Sequence, residues 1–412
     1  MSSYGRGARV LSIGIATTGL VTFAYFSLAS HSLSEVDYKG LSLLWSALFL
    51  IISIIYRPVE QLLSHTIASR RAQGHEGHSL RVPLVIQATA AAVFLAVALG
   101  LREPITDDVF DGSSELYWVL VVAVLAYAAS YFARGWLAGH QRFGLYGGLV
   151  LLESCSRCLF AVAVAVGIAS GQGAVALGIA AAPLVSLLVI PWAIEHRGRG
   201  EEPSSMREGA GFAGAVLAIM IAEQALLNGP VIAVDVTAAD AALAGFVFNV
   251  LLITRAPLQL FQAIQTSLLP HLSGLAATGG GQEFGHAIRV TLLAIAGFAA
   301  AVVLGLAVVG PLAMDLLFGG DFEYARGGLV LVGLGMGFHL AAGTLNQAAL
   351  ARDRAAPAAA AWLAIAAMFL GWLFLSPLDD QLLEVEVGYC ATTAVLALAL
   401  WLIERSAGGR PA

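Results

Sequence analysis

Apolar residues run along this chain in long blocks, separated at intervals by short polar stretches. Blocks of roughly 18 or more apolar residues read as membrane helices. Their limits predict helices over 8–30, 40–66, 82–101, 116–138, 145–167, 174–195, 210–234, 241–272, 288–310, 326–350, 357–375 and 386–404. A transmembrane barrel would need short segments of alternating polarity, and these blocks are continuous. The pattern therefore predicts an all-α integral membrane fold of about twelve transmembrane helices. Arg6 and Arg9 precede the first block as they would in a signal peptide. That block is long enough to span and more blocks follow, so a retained first helix is expected.

Composition agrees with the pattern. Of 412 residues, 59% are hydrophobic and 12% charged, against about 25% charged in a soluble domain. The net charge of −6 is no nucleic-acid footprint. Three cysteines give no disulfide framework. Cys155 and Cys158 form a C-x-x-C inside an apolar helix, where small buried side chains are expected and no redox or zinc motif. His75-Glu76-Gly77-His78 is one residue too short for H-E-x-x-H. No metal or cofactor is expected.

Charge also orients the helices. With an even helix count, both termini share one side. Of the 21 basic residues, fourteen then fall on the terminal side, among them Arg70, Arg71, Arg142, Arg352 and Arg354. Lys39, Arg102 and Arg326 fall on the other. The positive-inside rule makes the terminal side cytoplasmic, so a bacterial inner-membrane protein with both termini inside is expected. Arg57, Arg134, Arg157 and Arg255 remain, all within helices; Arg134, near a helix end, is expected to snorkel.

The two halves echo each other. Tyr-Arg-Pro-Val-Glu-Gln (56–61) in the second helix matches Thr-Arg-Ala-Pro-Leu-Gln (254–259) in the eighth. Pro104, Asp108, Phe110 and Gly112 follow the third helix, as Pro311, Asp315, Phe318 and Gly319 follow the ninth. Gly-His-Gln-Arg (139–142) ends the fourth as Ala-Arg-Asp-Arg (351–354) ends the tenth. Six helices per half make the repeats like-oriented, about an axis along the membrane normal. The expected organisation is an N-terminal lobe over 1–200 and a C-terminal lobe over 201–412 around a central cavity, linked by 196–209.

Charge inside a membrane is costly and marks candidate function. Arg57, Glu60, Gln61, Ser64 and His65 share one helical face, and so do Arg255, Gln259, Gln262 and Thr266. Arginine forks bind phosphate oxygens well and keep their charge. Both faces are expected to line one substrate cavity. Glu153 and Arg157 stand at i,i+4, either as a structural ion pair or as part of the site. Glu223, ahead of Gln224, Asn228 and Gly229-Pro230, is either a proton or cation site or a packing residue. His339, Asn346 and Gln347 are expected to join helices.

Several stretches resemble the MOP superfamily. They are the late Arg-Pro of the second helix, Arg134-Gly135-Trp136-Leu137-Ala138-Gly139-His140-Gln141-Arg142-Phe143-Gly144, and Gln262-Ala263-Ile264-Gln265 running into Leu269-Pro270-His271-Leu272-Ser273. Within it the chain is most similar to Wzx-type polysaccharide flippases. That resemblance implies a MATE-like fold and translocation of an undecaprenyl-pyrophosphate-linked oligosaccharide, with glycan polymerase or ligase partners. It matches Arg57 and Arg255 to cavity arginines of related lipid II flippases; together with the polar faces above, Arg57, Glu60, Gln61, Arg255, Gln259, Gln262, Arg157 and Glu153 are expected at the substrate. Coupling is expected either to the membrane potential or to H+ or Na+ at Glu223, Glu153 or Glu60, with membrane lipids around the chain. Related lipid II flippases carry a further cavity arginine on their first helix, and this chain has none there past Arg9 at its start. MATE multidrug exporters often have an acid there, also missing. A cation-coupled drug exporter and a lipid II flippase are the alternatives. A polymerase or ligase would need a larger outer loop with catalytic groups. A major-facilitator carrier would show Gly-Asp-Arg where Ser69-Arg70-Arg71-Ala72-Gln73-Gly74 stands.

Overall fold

A computed structural model describes residues 3–74, 80–192, 206–237, 266–318, 325–375 and 380–408, with isolated positions between 247 and 261 and at 378. The described residues form α1 (Ser3–Ser32), α2 (Glu35–Ala72), α3 (Arg81–Gly100), α4 (Ser114–Gly139), α5 (Phe143–Ala165) and α6 (Gly171–Ser186, continued as the 3-10 turn Leu187–Trp192). They continue with α7 (Met206–Thr237), α8 (helical over 266–277), α9 (Gly281–Phe318), α10 (Arg326–Ala351), α11 (Ala355–Leu375) and α12 (Gln381–Gly408). No strand occurs among them, and ten helices are long and apolar enough to cross a membrane. The expected all-α membrane fold is the one found. The loop holding His75 to His78 lies outside the described residues, as do Arg255, Gln259 and Gln262.

Helix ends are set by side chains placed to satisfy exposed backbone groups. Ser34 caps α2: its Oγ accepts from the Asp37 amide at 3.2 Å and donates to Asp37 Oδ2 at 2.8 Å. Ser113 caps α4 through the Leu116 amide. Asp380 Oδ1 accepts from the Leu382 and Leu383 amides at the start of α12.

The repeat seen in the sequence reappears in these ends. After α4, Gln141 has φ 57° and the Arg142 amide donates to the Leu137 carbonyl at 2.8 Å. After α10, Asp353 has φ 56° and the Arg354 amide donates to the Ala349 carbonyl at 2.8 Å. Both are six-to-one closures around a left-handed residue that is not glycine. The matched tetrapeptides 139–142 and 351–354 thus make the same turn.

One expected boundary is wrong. Pro311, Asp315 and Phe318 belong to α9, which runs on to residue 318 instead of ending at 310. Leu304, Val308, Val309 and Leu312 are all exposed there. In an apolar surrounding, leaving the helix would strand backbone groups without water to bind them, so the helix continues through the proline. In the first half, Arg102–Pro104 and a π-turn at Ile105–Val109 follow α3 instead.

The chain divides into two units, Met1–Leu217 and Ala218–Ala412. The dividing point lies inside α7, whose first turns pack within the first unit: His65 stacks on Phe212 with ring centres 5.0 Å apart. In that unit α1 packs on α5, α2 on α4, and α6 on both α4 and α5. In the second, α10 packs against α9 and α12. Both units therefore bring their fourth and sixth helices together.

Glycine sets the crossing of α4 on α2. A Cβ on Gly135 would stand 2.8 Å from the Glu60 carbonyl oxygen, and one on Gly139 would stand 2.7 Å from Ile67 Cβ. α2 and α4 can approach this closely only with a bare backbone on α4. Gly135→Ala should cost about 1–3 kcal/mol through overpacking and lower the detergent melting midpoint. Gly148→Ala, whose Cβ meets nothing within 4 Å, should leave the midpoint unchanged or slightly raised.

Candidate functional site

The first unit holds a buried polar seam across α1, α2, α4 and α5. On α4, Tyr127, Tyr131 and Arg134 recur at helical spacing and share a face. On α5, Tyr146, Glu153 and Arg157 do the same. The two helices meet where Arg134 and Glu153 form an ion pair. Ser130 Oγ adds a hydrogen bond to Glu153 Oε1 at 3.3 Å. The Arg134 guanidinium also lies over the Tyr131 ring, 4.6 Å from its centre.

Two sequence expectations are corrected here. Glu153 does not pair with Arg157, although the two stand one turn apart on a single helix. It takes Arg134 from the neighbouring helix, where a guanidinium can approach without bending around its own backbone. Nor does Arg134 snorkel: its side chain is 12% exposed and tied to a carboxylate that is 3% exposed. Ion pairing inside the bundle wins over stretching to the surface.

Among the described residues, Arg157 is left without a carboxylate. It donates to Tyr127 Oη at 3.0 Å, to Ser154 Oγ at 3.0 Å and to Thr22 Oγ1 at 3.5 Å. Its guanidinium lies over the Trp45 ring at 4.5 Å. Three hydroxyls and an aromatic face spread its charge without neutralising it.

The stripe on α2 faces this seam. Glu60 is buried and accepts from the Tyr146 hydroxyl at 2.7 Å. Gln61 is half-buried, and its Oε1 has no hydrogen-bond partner among the described residues. Arg57, half-buried one turn before Glu60, makes no hydrogen bond or ion pair among the described residues. The fields of Arg57, Glu60, Arg134 and Glu153 all reach the Tyr131 hydroxyl. Glu60, Glu153 and Arg57 are thus gathered around one place, with Arg157 beyond the tyrosines. Counting Arg57, Arg134 and Arg157 against Glu60 and Glu153, the seam carries an excess of positive charge.

The second unit has a smaller cluster. His339 Nε2 stands 3.6 Å from Glu223 Oε1, and Tyr389 Oη lies 3.2 Å from His339 Nδ1. His339 therefore joins α7 and α12 to α10, as a helix-linking residue should. Asn228 donates to Gln224 Oε1 at 2.8 Å. Asn346 Oδ1, Gln347 Oε1 and Trp362 Nε1 are buried with no hydrogen-bond partner among the described residues. Among the described residues no group of three or more His, Cys, Asp or Glu is arranged to hold a metal ion. Cys155 and Cys158 are free and half-buried.

No protein-family model matches the sequence, and no curated protein does. Solved structures do. An MATE transporter of Vibrio cholerae, VcmN, superposes with a TM-score of 0.73 at 15% identity, over 99% of this chain and 98% of that one. A multidrug resistance MATE family transporter of the MOP superfamily, in an outward-facing conformation, gives 0.74 at 16% identity, over 98% and 96%. The chain has the MATE transporter fold. A MOP superfamily transporter from Pyrococcus furiosus, described as having a binding pocket of reverse polarity that suggests a different function, gives 0.72 at 14% identity, over 98% and 94%.

The tyrosines and Arg134 went unread as site residues in the sequence, although the Tyr127, Tyr131, Arg134 spacing was there to be seen. Glu153→Gln should leave Arg134 buried and uncompensated, at a cost of about 3–5 kcal/mol, read as a lower melting midpoint. Arg134→Met combined with Glu153→Leu should recover most of that loss.

Proposed function

We propose that this chain is a polysaccharide-export flippase. It carries an undecaprenyl-pyrophosphate-linked oligosaccharide across the bacterial inner membrane by alternating access. The observation that supports it most is Arg57, a half-buried cation with no ion-pair or hydrogen-bond partner among the described residues, in a seam where Arg134 and Arg157 are already matched in number by Glu60 and Glu153. A guanidinium left open in a membrane protein suits a pyrophosphate, which it can hold through two parallel hydrogen bonds. Gln61 and Glu60 lie beside it for sugar hydroxyls or the head group. Arg255, Gln259 and Gln262 supply the matching face of the second repeat, with the lobes taken as 1–200 and 201–412. Arg157 and Glu153 extend the site within the first lobe. Coupling to H+ or Na+ draws on Glu60, Glu153 or Glu223, and both termini lie in the cytoplasm. A glycan polymerase or ligase receives the product.

The second reading is a cation-coupled multidrug exporter, favoured by the MATE neighbours themselves. The charge of the seam weighs against it, because a cationic drug would meet Arg57 and Arg157 with like charge. A binding pocket of reverse polarity is described for the similar MOP superfamily transporter of Pyrococcus furiosus, which supports reading the charge of the pocket and not the fold alone.

Arg57→Ala should abolish translocation of lipid-linked glycan in a reconstituted or complementation assay, with protein levels unchanged. Normal translocation by that variant, or energy-dependent efflux of cationic dyes by the wild type, would move the assignment to the second reading.

A further inference from the structure

The ends of α10 and α12 lie together in the second unit, and three arginines gather there. Arg352 is compensated: its Nη1 pairs with Glu404 Oε1 at 3.0 Å, and its guanidinium lies over the Phe284 ring. Arg354 and Arg405 are not. Arg354 Nη1 donates to Ser406 Oγ at 3.1 Å, a neutral partner. The Arg405 guanidinium lies 4.0 Å from the centre of the Trp401 ring. Neither contact neutralises its arginine, and among the described residues neither arginine is held by a carboxylate. Of the adjoining acids, Glu404 is spent on Arg352, and Asp353 is exposed in the turn. Ser406 follows Arg405 directly, so its bond to Arg354 keeps the two cations close together.

The face of α12 that leads to Arg405 is apolar. Val395, Leu398, Leu402 and Arg405 follow one another at three- and four-residue steps and share one side of the helix. All four are exposed. The three apolar side chains run about 10 Å along the axis. Trp401 stands at the junction of the apolar stretch and the cations, the level an indole favours in a bilayer. Apolar stretch, indole and paired cations follow in the order of a phospholipid's acyl chain, glycerol and phosphate. A soluble anion would satisfy only the arginines, and a neutral lipid only the apolar face.

We propose that this end of α12 binds an anionic glycerophospholipid of the surrounding bilayer. Its phosphate sits between Arg354 and Arg405, and one acyl chain lies along Val395, Leu398 and Leu402. With the termini in the cytoplasm, the cytoplasmic leaflet supplies it, the leaflet whose anionic lipids attract basic segments beside a membrane helix. The bound phosphate bridges the turn after α10 to the end of α12. No residue of the Arg57 site takes part, so this inference and the flippase reading stand or fall separately.

The test is native mass spectrometry of the purified full chain in detergent, titrated with phosphatidylglycerol and with phosphatidylcholine. The wild type should retain phosphatidylglycerol in preference. Arg354→Gln combined with Arg405→Gln should weaken that binding about 25-fold, roughly fivefold for each arginine. Arg207→Gln combined with Arg289→Gln, which removes the same charge from other exposed positions, should leave it intact. Equal retention of the two lipids overturns the inference, and so does equal loss in the two double variants. Equally tight binding of soluble glycerophosphoglycerol also overturns it, because the apolar face would then play no part. Should the first double variant fail to fold, phosphatidylglycerol with a photoreactive diazirine on its acyl chain serves on the wild type. Its label should concentrate between residues 395 and 402, and even labelling of all the apolar helices overturns the inference.

Discussion

An arginine held within a membrane helix must find its compensation inside the protein, because the lipid around it offers neither water nor counter-ions. The first unit answers this in two ways. Arg134 takes a carboxylate from the next helix, Glu153, together with the face of Tyr131. Arg157 takes none, and is held by hydroxyls from Tyr127, Ser154 and Thr22 and by the face of Trp45. Much of the packing of α1, α2, α4 and α5 follows from bringing these groups together. Gly135 and Gly139 on α4 let α2 come near enough for Glu60 to reach Tyr146.

Arg57 stands outside this accounting. It shares the seam and its field, but no described group compensates it directly. A cation that the fold leaves uncompensated is a place where a ligand can do so, which is how the site and the stability of the unit become the same question. The second unit solves its smaller problem with a histidine between a glutamate and a tyrosine.

The helices were legible because twenty or so apolar residues in a row leave few other options. The repeat was legible in the tetrapeptides 139–142 and 351–354, whose turns close alike because both put a left-handed residue third. Pairing was not. The i,i+4 rule pointed Glu153 to Arg157, since it describes an isolated helix. The choice of Arg134 is made between helices, and no spacing along the chain records it. Arg134 itself was misread because nearness to a helix end predicts snorkelling only when no buried acid competes for the side chain. Pro311 misled for a similar reason: the breaker habit of proline was learned in water.

The turn at 139–142 has a consequence for the ion pair beside it. It joins α4 directly to α5, so Arg134 and Glu153 stand on consecutive helices, 19 residues apart in the chain. Each charge alone would be costly to hold in lipid. The compensation of Arg134 thus comes from the next helix in sequence and depends on no element further along the chain.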